Sequence, residues 1–303
     1  MRLVWGLKHR QGQDQALMTT LALHIGAHKT ATTHLQRSLY AQRSELEGIG
    51  VRVITPRQLR APNPNLQKRF GLFDKQRHVD GNGVLTELAA GSDRVVISEE
   101  NFVGALQDTK GRIANPIYKE ALPRLAALTR ATGLSQIEIF LSIRHPCDYL
   151  ASAYSQLLLA GGRISAEDYR AINQVPQVDW LNLVQRISAV EGVGSITVWR
   201  YEDYQTLFPR IVEALLAKPF EVPPIAERIH QGLSTRAVET VLSDPASAND
   251  GDAANMSRER FPVSAADPGI ALHSVWKRRL VSLRYARMCR QIARMPKVRF
   301  LHP

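Results

Sequence analysis

Short, nearly continuous apolar runs alternate with longer stretches of helical spacing along most of the chain. Leu21–Ile25 (interrupted by His24), Val51–Ile54, Arg94–Ser98, Ile137–Ile143 and Ser195–Trp199 have the length and apolar density of buried strands. Between and after them, residues 32–47, 84–90, 116–131, 147–160, 179–191 and 204–217 repeat apolar positions at three-to-four-residue intervals and predict helices. This alternation predicts a three-layer α/β/α fold around a central parallel sheet. Pro56, Pro62, Asn63, Pro64 and Asn65 predict a loop over 56–82. Residues 244–270 are poor in aliphatics and predict a mobile loop or lid. Past it, Val281, Tyr285, Met288, Ile292 and Met295 keep alternating four-three spacing among arginines. The expected organisation is a flexible leader over 1–17, an α/β domain over 18–243, the lid, and a basic helix within 271–303 that packs on the same domain.

Composition narrows the class. The 303 residues are 44% hydrophobic and 22% charged, which suits a globular protein with a sizeable core. The two cysteines, Cys147 and Cys289, lie far apart and in no metal spacing, so neither a disulfide framework nor a metal site is expected. The first residues lack the apolar core of a secretory signal, and no run is long enough to span a membrane. A cytoplasmic location is the expectation. The net charge is +11, and Lys277 to Arg299 carries nine Lys/Arg and no Asp/Glu. The excess therefore sits mostly in the tail, unlike the spread of a general nucleic-acid-binding surface, and no nucleic-acid partner is expected. The tail is expected to bury one apolar stripe and leave its cations in solvent. A lesser expectation is that it attracts an anionic acceptor or a membrane surface.

The first strand carries the most specific chemistry. Leu21–Gln36 reads LALHIGAHKTATTHLQ: an apolar strand, a turn opened by Gly26, then Lys29 and a hydroxyl-rich helix start. A strand–turn–helix junction aims unpaired N–H groups and the positive helix end at an anion. Lys29 adds a full charge, and Thr32 and Thr33 add hydroxyls. The order differs from G-x-x-x-x-G-K-[ST], because Lys29 comes only three residues after Gly26. A phosphate-type group handled without a nucleotide-bound metal suits this loop better than a magnesium nucleotide. A second anion site follows the 137–143 strand in RHPCDYLASAYSQ, where Arg144 and Ser152, eight residues on, can converge on one phosphate across a helix start set by Pro146.

Together, GAHKTATT and the Arg-x-Pro corner with its following Ser resemble the sulfotransferase family that uses 3′-phosphoadenosine-5′-phosphosulfate. The likeness is greatest to small bacterial members whose loops run HIGxHKTGTT, and it covers roughly residues 20–240. Ile97-Ser98-Glu99-Glu100 and Trp199-Arg200-Tyr201-Glu202-Asp203 are similar to two further strand-end segments of that family.

The resemblance implies a donor-binding set of Gly26, His28, Lys29, Thr30, Ala31, Thr32, Thr33, Arg144, Ser152 and Tyr201, with Tyr201 near the adenine. It implies metal-free transfer of a sulfonyl group to a hydroxyl or amine of a carbohydrate, lipid-linked or other small acceptor. Lys29 is then the residue that stabilises the leaving oxygen. Glu99 is the expected general base, with His78 as its alternative, because Glu99 follows a central strand and Glu100 points the other way.

Ala31 stands where the family has Gly. It adds strain if the position needs positive φ and costs nothing inside a first helical turn. Arg228 and Gln231 lie within reach of a 3′-phosphate in the same reading, Ser234 reads as an N-cap, and Trp180 and Trp199 read as core. The alternatives are a P-loop nucleotide kinase or NTPase, against which stands the missing G-K-[ST] order, and a non-catalytic anion binder.

Overall fold

The computed structural model describes residues 19–60, 68, 70–71, 81–226, 232–243 and 251–303. The expected leader, His78, Arg228 and Gln231 lie outside these. Six parallel strands, β1 (Thr20–His24), β2 (Val51–Ile54), β3 (Arg94–Ser98), β4 (Ile137–Ile143), β5 (Val193–Arg200) and β6 (Val298–Phe300), form one sheet in the order β2-β3-β1-β4-β5-β6. The helices are α1 (Thr32–Ala41), α2 (Arg43–Gly48), α3 (Pro56–Leu59), α4 (Gly81–Ala89), α5 (Ala121–Thr132), α6 (Pro146–Leu159), α7 (Ala166–Ile172), α8 (Trp180–Ser188), α9 (Tyr204–Leu216), α10 (Thr235–Ser243), α11 (Gly251–Arg260) and α12 (Val275–Ala293). This is the expected three-layer α/β/α architecture.

Period-two alternation divides the strands between two cores. Leu21, Leu23, Val95, Ile97, Ile139, Leu141, Ile196 and Val198 face the layer of α4, α5, α6, α8 and α12. Ala22, Val96, Phe140 and Trp199 face the opposite layer, built from α1 and α9. Because both faces are covered, most residues of β1 to β5 are buried, which is why these strands read as nearly continuous apolar runs. Arg94 places a charge inside the sheet, where it is buried. Its guanidinium donates to the Leu215 carbonyl at 2.6 Å and to both carboxylate oxygens of Glu138.

Several boundaries differ from the sequence expectation. The helix expected over 32–47 is two helices, broken at Gln42 (φ −103°, ψ 18°). Residues 56–59 form a helical turn because Thr55 and Gln58 make a reciprocal cap with Pro56 at the first position. Within the expected lid, Gly251–Arg260 is helical. The tail adds a sixth strand, with Leu301 N–H donating to the Val198 carbonyl at 2.8 Å.

The topology fixes where a ligand can sit. From β1 the chain crosses to β2 and β3 on one side, and from β3 it crosses to β4 on the other. The carboxyl ends of β1 and β4 therefore flank the point where the winding reverses, the usual ligand crevice of an open α/β sheet.

Candidate anion-binding cleft at the strand ends

The turn after β1 is held against β4. Ile25 N–H donates to the Phe140 carbonyl at 3.0 Å, Ala27 N–H to Ser142 at 2.8 Å, and Ser142 N–H returns a bond to Gly26 at 2.5 Å. Gly26 has φ +92°, and a Cβ there would stand 3.0 Å from the Glu100 side chain and 3.1 Å from His28 N, so only glycine fits. Thr30 turns its hydroxyl inward onto the Ala27 carbonyl at 2.6 Å and is buried. Gly26 and Thr30 thus shape the loop, and the side chains of His28, Lys29, Ala31, Thr32 and Thr33 line the cleft. Ala31 is the N-cap of α1 in the left-handed region (φ 63°, ψ 23°) and offers no side-chain acceptor to the helix N–H groups. The first of the two alternatives for Ala31, strain, therefore holds.

The Arg-Pro corner after β4 meets this turn directly. Arg144 Nη1 donates to the Lys29 carbonyl at 2.7 Å, and its guanidinium carbon lies 4.4 Å from the centre of the Tyr201 ring. Arg144 Nε is buried with no hydrogen-bond partner among the described residues. The corner is fixed from behind: Trp180 Nε1 donates to the Arg144 carbonyl at 2.7 Å, and His145 N–H donates to Glu202 at 2.7 Å. Arg144, Ser152 and Tyr201 line the same cleft as the lysine turn, whose volume is about 1380 Å³. That exceeds the roughly 300–1,000 Å³ of a single small-ligand pocket.

The cleft is rich in cations. Lys29 Nζ donates to Gln156 Oε1 at 3.0 Å. Burial, with Arg144 and Arg258 nearby, lowers the Lys29 pKa to about 8. Arg258 comes from α11, inside the segment expected as a lid. Arg278 from α12 lines the cleft and grips Asp148, with one bond at 2.7 Å.

The glutamates after β3 are arranged the other way round from expectation. Glu99 is fully buried and does not line the cleft. Its carboxylate accepts from Arg60 at 2.9 and 2.6 Å and from Asn101 N–H at 3.0 Å, capping the short 3₁₀ turn Glu100–Val103. Glu100 is the carboxylate that faces the cleft. It accepts from Gln36 Nε2 at 3.1 Å and lies 3.5 Å from Arg60. Despite burial, His28, hydrogen bonds and Arg60 hold it below the usual carboxylate range.

His28 is saturated: Nδ1 lies 3.0 Å from the Tyr118 hydroxyl and Nε2 3.1 Å from Asn101 Oδ1. Burial lowers its pKa, against the opposing pull of Glu100. His24 stacks on Trp199 and bonds Ser98 at 2.7 Å, and burial takes its pKa to about 4.

Arg60, Asn101, Gln36, Gln156 and Tyr118 contribute to the site without a motif to announce them. Only Asn101 had a nearby signal, through its place beside the glutamate pair. Ser234 caps α10 as expected, accepting from Ala237 N–H at 3.1 Å, and Trp180 and Trp199 are core. Among the described residues no group of three or more His, Cys, Asp or Glu is placed to hold a metal, and no helix is long and apolar enough to cross a membrane. No family model matches this sequence, and neither does any curated protein.

Proposed function

We propose that this protein is a sulfotransferase that moves a sulfonyl group from 3′-phosphoadenosine-5′-phosphosulfate to an acceptor hydroxyl or amine. The observation that carries the reading is the direct contact between the two anion motifs, with Arg144 donating to the Lys29 carbonyl inside one cleft. A nucleotide charged at both its 5′ and 3′ ends needs two cationic sites at that kind of separation. The residues fit such a ligand: the helix start at Ala31 has no side-chain cap, and Arg144 keeps an unpartnered buried N–H.

In this reading the N-terminus of α1, with Thr32 and Thr33, holds the 5′-phosphate, and Arg144 and Ser152 hold the 3′-phosphate. Tyr201, already stacked against a guanidinium, is the ring on which the base would rest in this reading. Transfer breaks the sulfur bond to the bridging oxygen of the donor and forms one to the acceptor oxygen. Lys29 neutralises the charge that grows on the departing oxygen. The acceptor's proton passes to a carboxylate, and Glu100 takes the place first given to Glu99 because it is the one that faces the cleft. Ile225, Val263, Ile270 and Leu272 also line the cleft and offer apolar surface to an acceptor with an aliphatic or lipid portion.

Adenosine 3′,5′-bisphosphate without magnesium tests this reading. It should raise the melting temperature of the wild type, and Lys29→Ala should abolish sulfonyl transfer from labelled donor. Stabilisation by a magnesium nucleoside triphosphate and not by the bisphosphate would favour the kinase alternative.

A further inference from the structure

Helix α12 is attached by one face only. Val281, Tyr285, Met288, Cys289 and Ile292 are buried against the domain. Polar ties reinforce them: Tyr285 donates to Glu202 at 3.1 Å, and Ser282 lies 3.1 Å from His145 Nε2. Successive helical residues turn by about 100°, so Trp276, Leu280, Leu283, Arg287, Arg290 and Arg294 share an outward band roughly 80° wide.

The apolar members of that band are unusually exposed: Trp276 68%, Leu280 48% and Leu283 71%. Of the seven exposed large hydrophobics among the described residues, four (with Val275) fall within this one stretch. Lys277, Arg279 and Arg284 flank the ridge, and no acidic residue occurs on the helix. Arg278 pairs with Asp148, and no ion pair of the other arginines is present among the described residues.

We propose that this outward face of α12 docks on an anionic lipid surface. An apolar ridge between cationic flanks is convex, and a convex ridge suits a yielding planar interface better than a preformed protein groove. The indole and the two leucines can enter the acyl boundary while the arginines reach the phosphates on long stems. Charge complementarity favours anionic over neutral lipid, because nothing on the helix offsets its cations. Val275 and Arg278, at the start of α12, also line the cleft, so the surface lies beside its mouth. Resting on the transferase reading, this placement makes the acceptor a lipid-linked hydroxyl or amine presented at the membrane. The docking itself does not depend on that reading.

The test uses the full chain without nucleotide and vesicles of phosphatidylcholine with or without phosphatidylglycerol, read by co-sedimentation and tryptophan emission. Partition should occur on the anionic vesicles alone, with a blue shift that Trp276→Phe removes. Replacing Leu280 and Leu283 together by Glu should abolish partition without lowering the melting temperature, since both are on the solvent face. Each of Arg279, Arg284 and Arg287 changed to Gln should weaken it by roughly fivefold. Equal binding to neutral vesicles, unaltered binding of the double variant, or retention by heparin or polyaspartate with no vesicle partition would each overturn the proposal. Nucleotide affinity, measured separately, reports on the transferase reading alone.

Discussion

Glu99 and Glu100 are adjacent in sequence and are expected to separate stability from chemistry. Changing Glu99 to Gln keeps the shape but removes a buried charge and turns one acceptor into a donor facing Arg60. The wild-type carboxylate receives three bonds, two from the guanidinium and one from Asn101 N–H. Breaking a fully buried pair costs about 3–5 kcal/mol. Here Arg60 is 46% exposed, so water recovers much of its half, and a loss of about 2 kcal/mol is expected. At about 2 °C per kcal/mol for a chain of this size, the melting temperature should fall by about 4 °C.

Glu100→Gln keeps the contact with Gln36 in reach but gives up a charge that its surroundings favour, so it should melt below wild type, by less than Glu99→Gln does. Its sulfonyl transfer should nevertheless fall by about 10²–10⁴. Scanning calorimetry and a labelled-donor assay on both variants decide the matter. Loss of turnover in Glu99→Gln at unchanged stability would return the base to Glu99. Full turnover in Glu100→Gln would remove it from Glu100.

Two further outcomes follow from the loop. Ala31→Gly relieves a left-handed strain of about 1–2 kcal/mol. It gives back about 0.4–1 kcal/mol through a freer unfolded chain and loses a half-buried methyl. The net should be a gain of about 0.5 kcal/mol in urea unfolding, and a clear destabilisation would show that the strain is absent. The lowered Lys29 pKa sets a pH dependence with a definite sign. The unfolded chain binds more protons than the free folded protein between about 8 and the ordinary 10.5, so this group lets stability rise with pH across that window. Binding of an anion needs the charged amine, so bisphosphate affinity should be full below pH 8 and fall as pH rises through about 8. Isothermal titration in buffers of different ionisation enthalpy should show proton uptake near pH 8.5, and a flat profile would contradict this placement of the amine.

The sheet was legible because parallel strands covered on both faces must be apolar throughout, and β4 matches its predicted limits residue for residue. The contact between the lysine turn and the Arg-Pro corner was also foreseeable, since both follow strands at their carboxyl ends. Strand β6 escaped because it is only three residues long, with Arg299 at its centre and Lys297 just before it, too short to stand out from the basic tail. Helix α11 escaped for a related reason: among its described residues Ala254 and Ser257 alone are buried, too little to leave an apolar stripe. For Glu99 and Glu100, alternation says that neighbours diverge but not which one meets solvent space. Arg60, from a segment that reads as loop, decides that by capturing Glu99. The positive φ of Ala31 was open for the same cause, because only the loop's closure against β4 fixes it.

The account stands on Lys29 and Arg144 gripping opposite ends of one nucleotide. Its most direct test compares adenosine 3′,5′-bisphosphate with adenosine 5′-monophosphate by calorimetry, on wild type and on Arg144→Ala, without metal. The 3′-phosphate should strengthen binding to the wild type by about tenfold or more, as a charge-assisted bond implies, and add almost nothing in the variant. An equal gain from the 3′-phosphate in both proteins, or none in either, would contradict the account.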